Sequence, residues 1–160
     1  ELSLEGNEDT ARLIYRNELS LGQKTLMETA AKAGVDNFAS FNNAGLIGMY
    51  NKTSEQLKNY RKLPQGSSVR LQDYMGRTEL AANLFRVTQT EEKLRQDDIK
   101  GQERANKIHY TIASRIRQMV EENTGKMPEN LPIKMHLPEV KKTLKKAKAA
   151  LENIDKKKAL

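Results

Sequence analysis

Leu26-Met-Glu-Thr-Ala-Ala-Lys-Ala-Gly-Val-Asp-Asn-Phe-Ala-Ser-Phe-Asn-Asn43 (LMETAAKAGVDNFASFNN) is the run on which the fold turns. Leu26, Ala30, Ala33, Gly34 and Val35 fall where a helix-turn-helix has its first helix and its tight turn. A DNA-reading second helix would need apolar residues six and nine positions after Gly34, to hold it against the first. Those positions are Ser40 and Asn43, both polar, while Phe38 and Phe41 sit out of phase. The run therefore reads as an ordinary helix end, with glycine taking the left-handed conformation and Val35 packing back on the last turn.

Outward from that point, apolar residues recur at helical spacing and no alternating run is long enough for a strand. A first helix is expected over about Asp9–Ala33, with Ala11, Ile14, Tyr15, Leu19, Leu26, Ala30 and Ala33 inward. A short helix over 36–50 should break at Gly45 and Gly48. Thr53-Ser-Glu-Gln56 is a capping box that opens another short helix, to about Leu63. After a loop at Pro64–Ser68, Thr78 is placed to cap a helix to Gln96, with Leu80, Leu84, Val87 and Leu94 on one face. A break at Asp97–Gly101 leads to a helix ending at Gly125, with Ala105, Ile108, Ile112, Ile116, Met119 and Val120 inward.

Pro128 and Pro132 make Met127–Leu137 an extended linker. Pro138 then opens a last helix whose Val140, Leu144, Ala147, Leu151 and Ile154 form a narrow apolar seam. The expected fold class is all-α: a helical domain of five or six helices over 1–132, then at 133–160 a linker and a basic amphipathic C-terminal helix.

Aromatic residues are scarce at 5%, so the core must be built from Leu, Ile, Val, Ala and Met. The absence of cysteine excludes disulfides and thiolate metal sites. No run approaches the roughly 20 apolar residues that span a bilayer, and no signal peptide is visible. The net charge of +7 is uneven: residues 138–160 hold eight lysines against Glu139, Glu152 and Asp155, a local +5.

Met75-Gly-Arg-Thr-Glu-Leu-Ala-Ala-Asn-Leu-Phe-Arg-Val-Thr-Gln-Thr-Glu-Glu-Lys-Leu94 resembles the signature run of the bacterial DNA-damage-inducible protein D family. The likeness extends through Arg16–Leu19, Ala30–Val35, Phe38–Phe41, Asn43–Tyr50, Gln102–Gln118 and Gly125–Pro132. In such proteins a Bro-type N-terminal domain precedes this region, so the chain reads as the C-terminal half. The resemblance implies a non-enzymatic, cytoplasmic protein of the DNA-damage (SOS-type) response, with DNA or a recombinase filament as partner. It carries over no functional residues, and the last 20 or so residues fit the family pattern poorly.

The residues themselves give little sign of catalysis. His109 and His136 are isolated, and neither has a second ligand at metal-binding spacing. Glu91-Glu92 and Asp97-Asp98 are adjacent rather than facing pairs, and no phosphate-cradling glycine loop is present. Catalytic and metal residues, cofactors and a small-molecule substrate are all expected to be none. Gly45-Leu-Ile-Gly48 has the form of the clamp that KH domains place on single strands, but without a supporting sheet it reads as a packing element.

Two features point to binding. The 78–96 helix carries Glu79, Asn83, Arg86, Gln89, Thr90 and Lys93 on a polar face. Arg77, Asn83 and Arg86 are side chains suited to paired hydrogen bonds with base edges or carboxylates. The tail is the sharper signal: Lys141, Lys145 and Lys148 form one stripe, Lys142 and Lys146 another, and Lys156–Lys158 a terminal cluster. Such a helix can dock or self-pair through its seam, contact phosphates, or lie on a membrane, in that order of preference. The expected function is regulatory binding to DNA or a recombinase–DNA filament. The alternative is a dimerisation or docking module for the Bro-type domain, without nucleic-acid contact, and a homodimer through the C-terminal helix would fit it.

Overall fold

The computed structural model describes residues 2–160, with side-chain surroundings from Gly6 onward. Among them are six α-helices: α1 (Leu2–Lys32), α2 (Phe38–Tyr50), α3 (Ser54–Tyr60), α4 (Arg77–Gln96), α5 (Gln102–Thr124) and α6 (Leu137–Lys158). Single 3-10 turns occupy Leu71–Tyr74 and Pro128–Asn130. The fold is all-α, as the 3.6-residue spacing requires. α4 is central: α1 packs along one side of it and α5 along another, and α2 packs on α5.

The turn after α1 forms as the sequence dictates. Gly34 takes φ +92°, and the amide of Val35 donates to the Ala30 carbonyl at 2.9 Å while its side chain enters the core. Asn37 caps α2 by accepting from the Ser40 amide, and Gln102 at the head of α5 accepts from the amides of Asp36 and Asn37. Ser40 and Asn43 stay partly exposed and Phe41 is fully buried, so α2 is seated by its own phase rather than as a reading helix.

α2 runs unbroken through Gly45 and Gly48, contrary to the expected break. Each interior glycine costs a helix roughly 1 kcal/mol relative to alanine. Here tertiary contact offsets that cost, because α5 crosses α2 at these two residues. A Cβ on Gly48 would lie 2.5 Å from the Tyr110 carbonyl oxygen, and one on Gly45 would overlap the His109 ring. The Gly-x-x-Gly pair is therefore a helix-crossing notch and not a strand clamp.

Three further boundaries or faces differ from expectation. α4 starts at Arg77 with Gly76 as its cap, two residues earlier than a Thr78 cap would give. On α1, Ile14 is exposed and Arg12 is buried; its Nε donates to the Met75 carbonyl at 2.9 Å and its Nη2 to the Met135 carbonyl at 2.7 Å. On α5 the buried stripe is Ala105, His109, Ala113, Ile116 and Val120, whereas Met119 faces out. Small side chains at 105 and 113 let α2 approach closely, and His109 fills the space between them.

Residues 133–136 are extended, as the prolines suggest, and they are tied to the body. Ile133 bridges antiparallel to Met75, the Lys134 amide donates to the Tyr74 carbonyl at 2.8 Å, and His136 stacks on Tyr74. This segment fixes where α6 departs.

Candidate functional site

Pro138 at the first turn of α6 costs the helix nothing, since the amide it lacks would have no partner there. Leu137 and Val140 are buried against α1 and the Leu71–Tyr74 turn. From Lys141 onward every residue of α6 is exposed. Leu144, Leu151 and Ile154 are 39%, 63% and 48% exposed, so most of the seam is uncovered. Lys141, Lys142, Lys145, Lys146 and Lys148 all stand in solvent, and Lys156–Lys158 occupy the last turn, where cations suit the helix dipole. The rod is held as a helix by its Ala, Leu and Lys content rather than by packing.

Arg77 is also exposed, at the first residue of α4. It shares a shallow depression of about 260 Å³ with Lys126, Lys134 and Glu8. Of the other basic residues on α5, Arg104, Lys107 and Arg115 are exposed. Arg117 is committed elsewhere: it grips Glu129 through both amino groups at 2.6 and 3.0 Å and donates to the Met49 carbonyl.

Asn83 and Arg86, expected to offer a polar binding face, do not belong to the protein's outer surface. Glu79, Asn83, Arg86 and Thr90 are buried, and only Gln89 and Lys93 of that set face outward. Spacings of 4, 3 and 4 place the four on one stripe, which α2 and α5 cover. α4 thus buries two stripes, an apolar one against α1 and a polar one against α2 and α5.

The polar stripe is linked as a chain, in which Glu79 Oε1 is left without a hydrogen-bond partner. Tyr50 Oη donates to Glu79 Oε2 at 2.7 Å and accepts from Asn83 Nδ2 at 2.7 Å. Asn83 Oδ1 accepts from Arg86 Nε and Nη2, both at 3.2 Å. Arg86 Nη1 lies 2.5 Å from His109 Nε2, and His109 Nδ1 lies 2.9 Å from the Phe41 carbonyl. A guanidinium and a carbonyl together dictate the neutral tautomer with its proton on Nδ1. Arg61 pairs with Glu79 Oε2 at 3.0 Å and donates to the Pro128 carbonyl, tying the loop after α3 into the same chain.

Burial governs the titration of this chain. It raises the Tyr50 hydroxyl well above its usual range, with the Glu79 carboxylate adding to the effect. It also raises Glu79, against the opposing pull of Arg61 and the Tyr50 hydroxyl. Burial lowers Arg86 to about 10. His109 falls to about 3, through burial first and the Arg86 charge second.

Tyr50, Arg61, His109 and Arg12 are the structural polar residues that sequence reasoning left out. For His109 a signal existed, since it completes the series 105, 109, 113, 116 and 120. No group of three or more His, Asp or Glu side chains that could hold a metal occurs among the described residues. No helix among them is long and apolar enough to cross a membrane.

Residues 6–155 match the sequence model of the DinD C-terminal domain. Over 128 residues the chain is 44% identical to DNA damage-inducible protein D of Escherichia coli (strain K12). That match covers 78% of this chain and 46% of the relative, so the chain spans about half the relative's length.

Proposed function

The chain belongs to the DinD C-terminal domain family, and on that footing we propose that it is a non-enzymatic binding protein of the DNA-damage response that engages a recombinase–DNA filament through α6. The observation that carries this reading is the exposure of α6: beyond Val140 it offers both a lysine array and an uncovered apolar seam. Lysines alone would suit bare DNA, whose phosphates attract cations with a strength that falls as salt rises. A seam containing Leu144, Leu151 and Ile154 asks in addition for an apolar protein groove. A nucleoprotein filament presents phosphates and protein together. Lys141, Lys142, Lys145, Lys146 and Lys148 neutralise phosphate, the seam meets the protein, and Arg77 is free for a directional contact.

The test is binding of this chain to labelled single strands, bare and recombinase-coated, over a salt series. Replacing the five lysines by glutamine should reduce the slope of log affinity against log salt by up to about 3.5 on single strands. Leu151→Gln, which leaves the charge unchanged, should weaken binding to coated strands and leave bare strands nearly unaffected. Failure to bind either form at low salt, or an unchanged slope, refutes the reading.

A second reading, self-pairing through the same seam, is favoured by the exposure of Leu151 and Ile154. It must overcome repulsion between two rods that each carry eight lysines. Light scattering decides it: a dimer mass that Ile154→Glu abolishes supports pairing, and a monomer mass rules it out.

A further inference from the structure

Between α1, α2, α3, α4 and the 69–72 segment lies a cavity of about 530 Å³ that plays no part in the α6 reading. Its volume suits a small ligand. Leu26, Leu71 and Val87 give it apolar wall, while Arg86, Lys58 and Arg70 bring three cations. Glu55 is the one acidic residue in the lining, so three cations against one carboxylate leave a formal +2. Glu55 is 77% exposed and only loosely paired with Lys58, at 3.6 Å, whereas the Lys58 side chain is 15% exposed.

Arg86 is the telling residue. It is 4% exposed, and three of its five N–H groups are used, two on Asn83 Oδ1 and one on His109 Nε2. Both acceptors are neutral. Among the described residues no carboxylate pairs with Arg86, and Glu79 on the same helix is engaged by Arg61 and Tyr50. Its guanidinium remains protonated at neutral pH even where burial lowers it to about 10. A buried cation is ordinarily matched by an anion, and a guanidinium fork fits the oxygens of phosphate.

We propose that this cavity binds a phosphate monoester, with Arg86 as the buried countercharge and Lys58 and Arg70 at the rim. A dianion matches the +2 lining, and the apolar wall accommodates the organic body attached to it. Two sources share that chemistry, a free mononucleotide and the 5′-phosphorylated end of a strand.

The full chain should be titrated at constant ionic strength with inorganic phosphate, adenosine monophosphate, and a short oligonucleotide with and without a 5′-phosphate. Unfolding temperature and calorimetry are the readouts. Phosphate monoesters should raise the unfolding temperature where chloride does not, and K58Q/R70Q should weaken binding by at least about tenfold. Those two substitutions lie at the rim and leave the core intact; Arg86→Met, if folded, should abolish binding. A phosphorylated oligonucleotide that binds more tightly than its unphosphorylated form, by a margin that K58Q/R70Q removes, assigns the site to strand ends; equal affinity of the two oligonucleotides, with adenosine monophosphate still bound, assigns it to free nucleotides. The inference is overturned if tens of millimolar phosphate leave the unfolding temperature unmoved, or if affinity survives both K58Q/R70Q and Arg86→Met. The α6 lysines are untouched in these variants, so failure here and failure of the filament reading are separable.

Discussion

The notch on α2 makes a sharp prediction, because one methyl group and one ring compete for the same space. Gly45→Ala places a Cβ inside the volume of the His109 imidazole. The ring cannot step aside: Arg86 holds one nitrogen at 2.5 Å, the Phe41 carbonyl the other at 2.9 Å, and the Phe41 ring lies 4.5 Å away, centre to centre. Overpacking of this kind costs about 1–3 kcal/mol, and the overlap puts Gly45→Ala at the upper end. The gain of about 1 kcal/mol from alanine in a helix interior offsets part, leaving about 2 kcal/mol of destabilisation. His109→Ala alone should cost about 3 kcal/mol, since it opens a cavity and strips Arg86 and the Phe41 carbonyl of a partner. Combined, the new methyl enters the vacated space, so Gly45→Ala should become neutral or stabilising by up to about 1 kcal/mol. The expected coupling is therefore about 2–3 kcal/mol in favour of the double variant. Urea denaturation followed by far-ultraviolet circular dichroism measures all four proteins, with equal slopes required for comparison. If Gly45→Ala costs the same in both backgrounds, to within about 0.5 kcal/mol, the crossing does not have the geometry described.

Two other outcomes follow from the burial pattern. His109 titrates at about 3 in the fold against 6.5 when unfolded, so between those values the unfolded chain binds the extra proton. Its contribution to stability is complete above pH 6.5 and is lost as pH falls towards 3, amounting to several kcal/mol. His109→Gln should flatten that acid limb in a series of urea midpoints, and a limb unchanged by the substitution would contradict the assignment. Removal of residues 141–160 deletes nothing buried, so the remaining body should keep its unfolding free energy to within about 0.5 kcal/mol. A loss above about 2 kcal/mol by calorimetry would mean that the rod packs on the body.

Local chemistry was enough to settle the helical class, the Gly34–Val35 turn, the Thr53–Gln56 capping box, the breaks at 97–101 and 125, and the lysine-rich last helix. Glycine, proline and capping side chains act on their nearest neighbours, and 3.6-residue spacing states itself in any window. Which stripe of a helix faces inward is a different matter when both stripes are regular. Asn83 and Arg86 look like a solvated face until α2 and α5 supply Tyr50 and His109 as partners. Gly45 and Gly48 look like a break until α5 crosses there, and Ile14 looks inward until Arg12 takes its place. The Arg86 cavity likewise exists only where segments spread over residues 23–87 come together. A sequence announces what each segment is by its local preferences; which polar groups are covered, and which are left to meet a ligand, depends on partners that arrive from elsewhere, because the cost of burial is set by the neighbours that answer it.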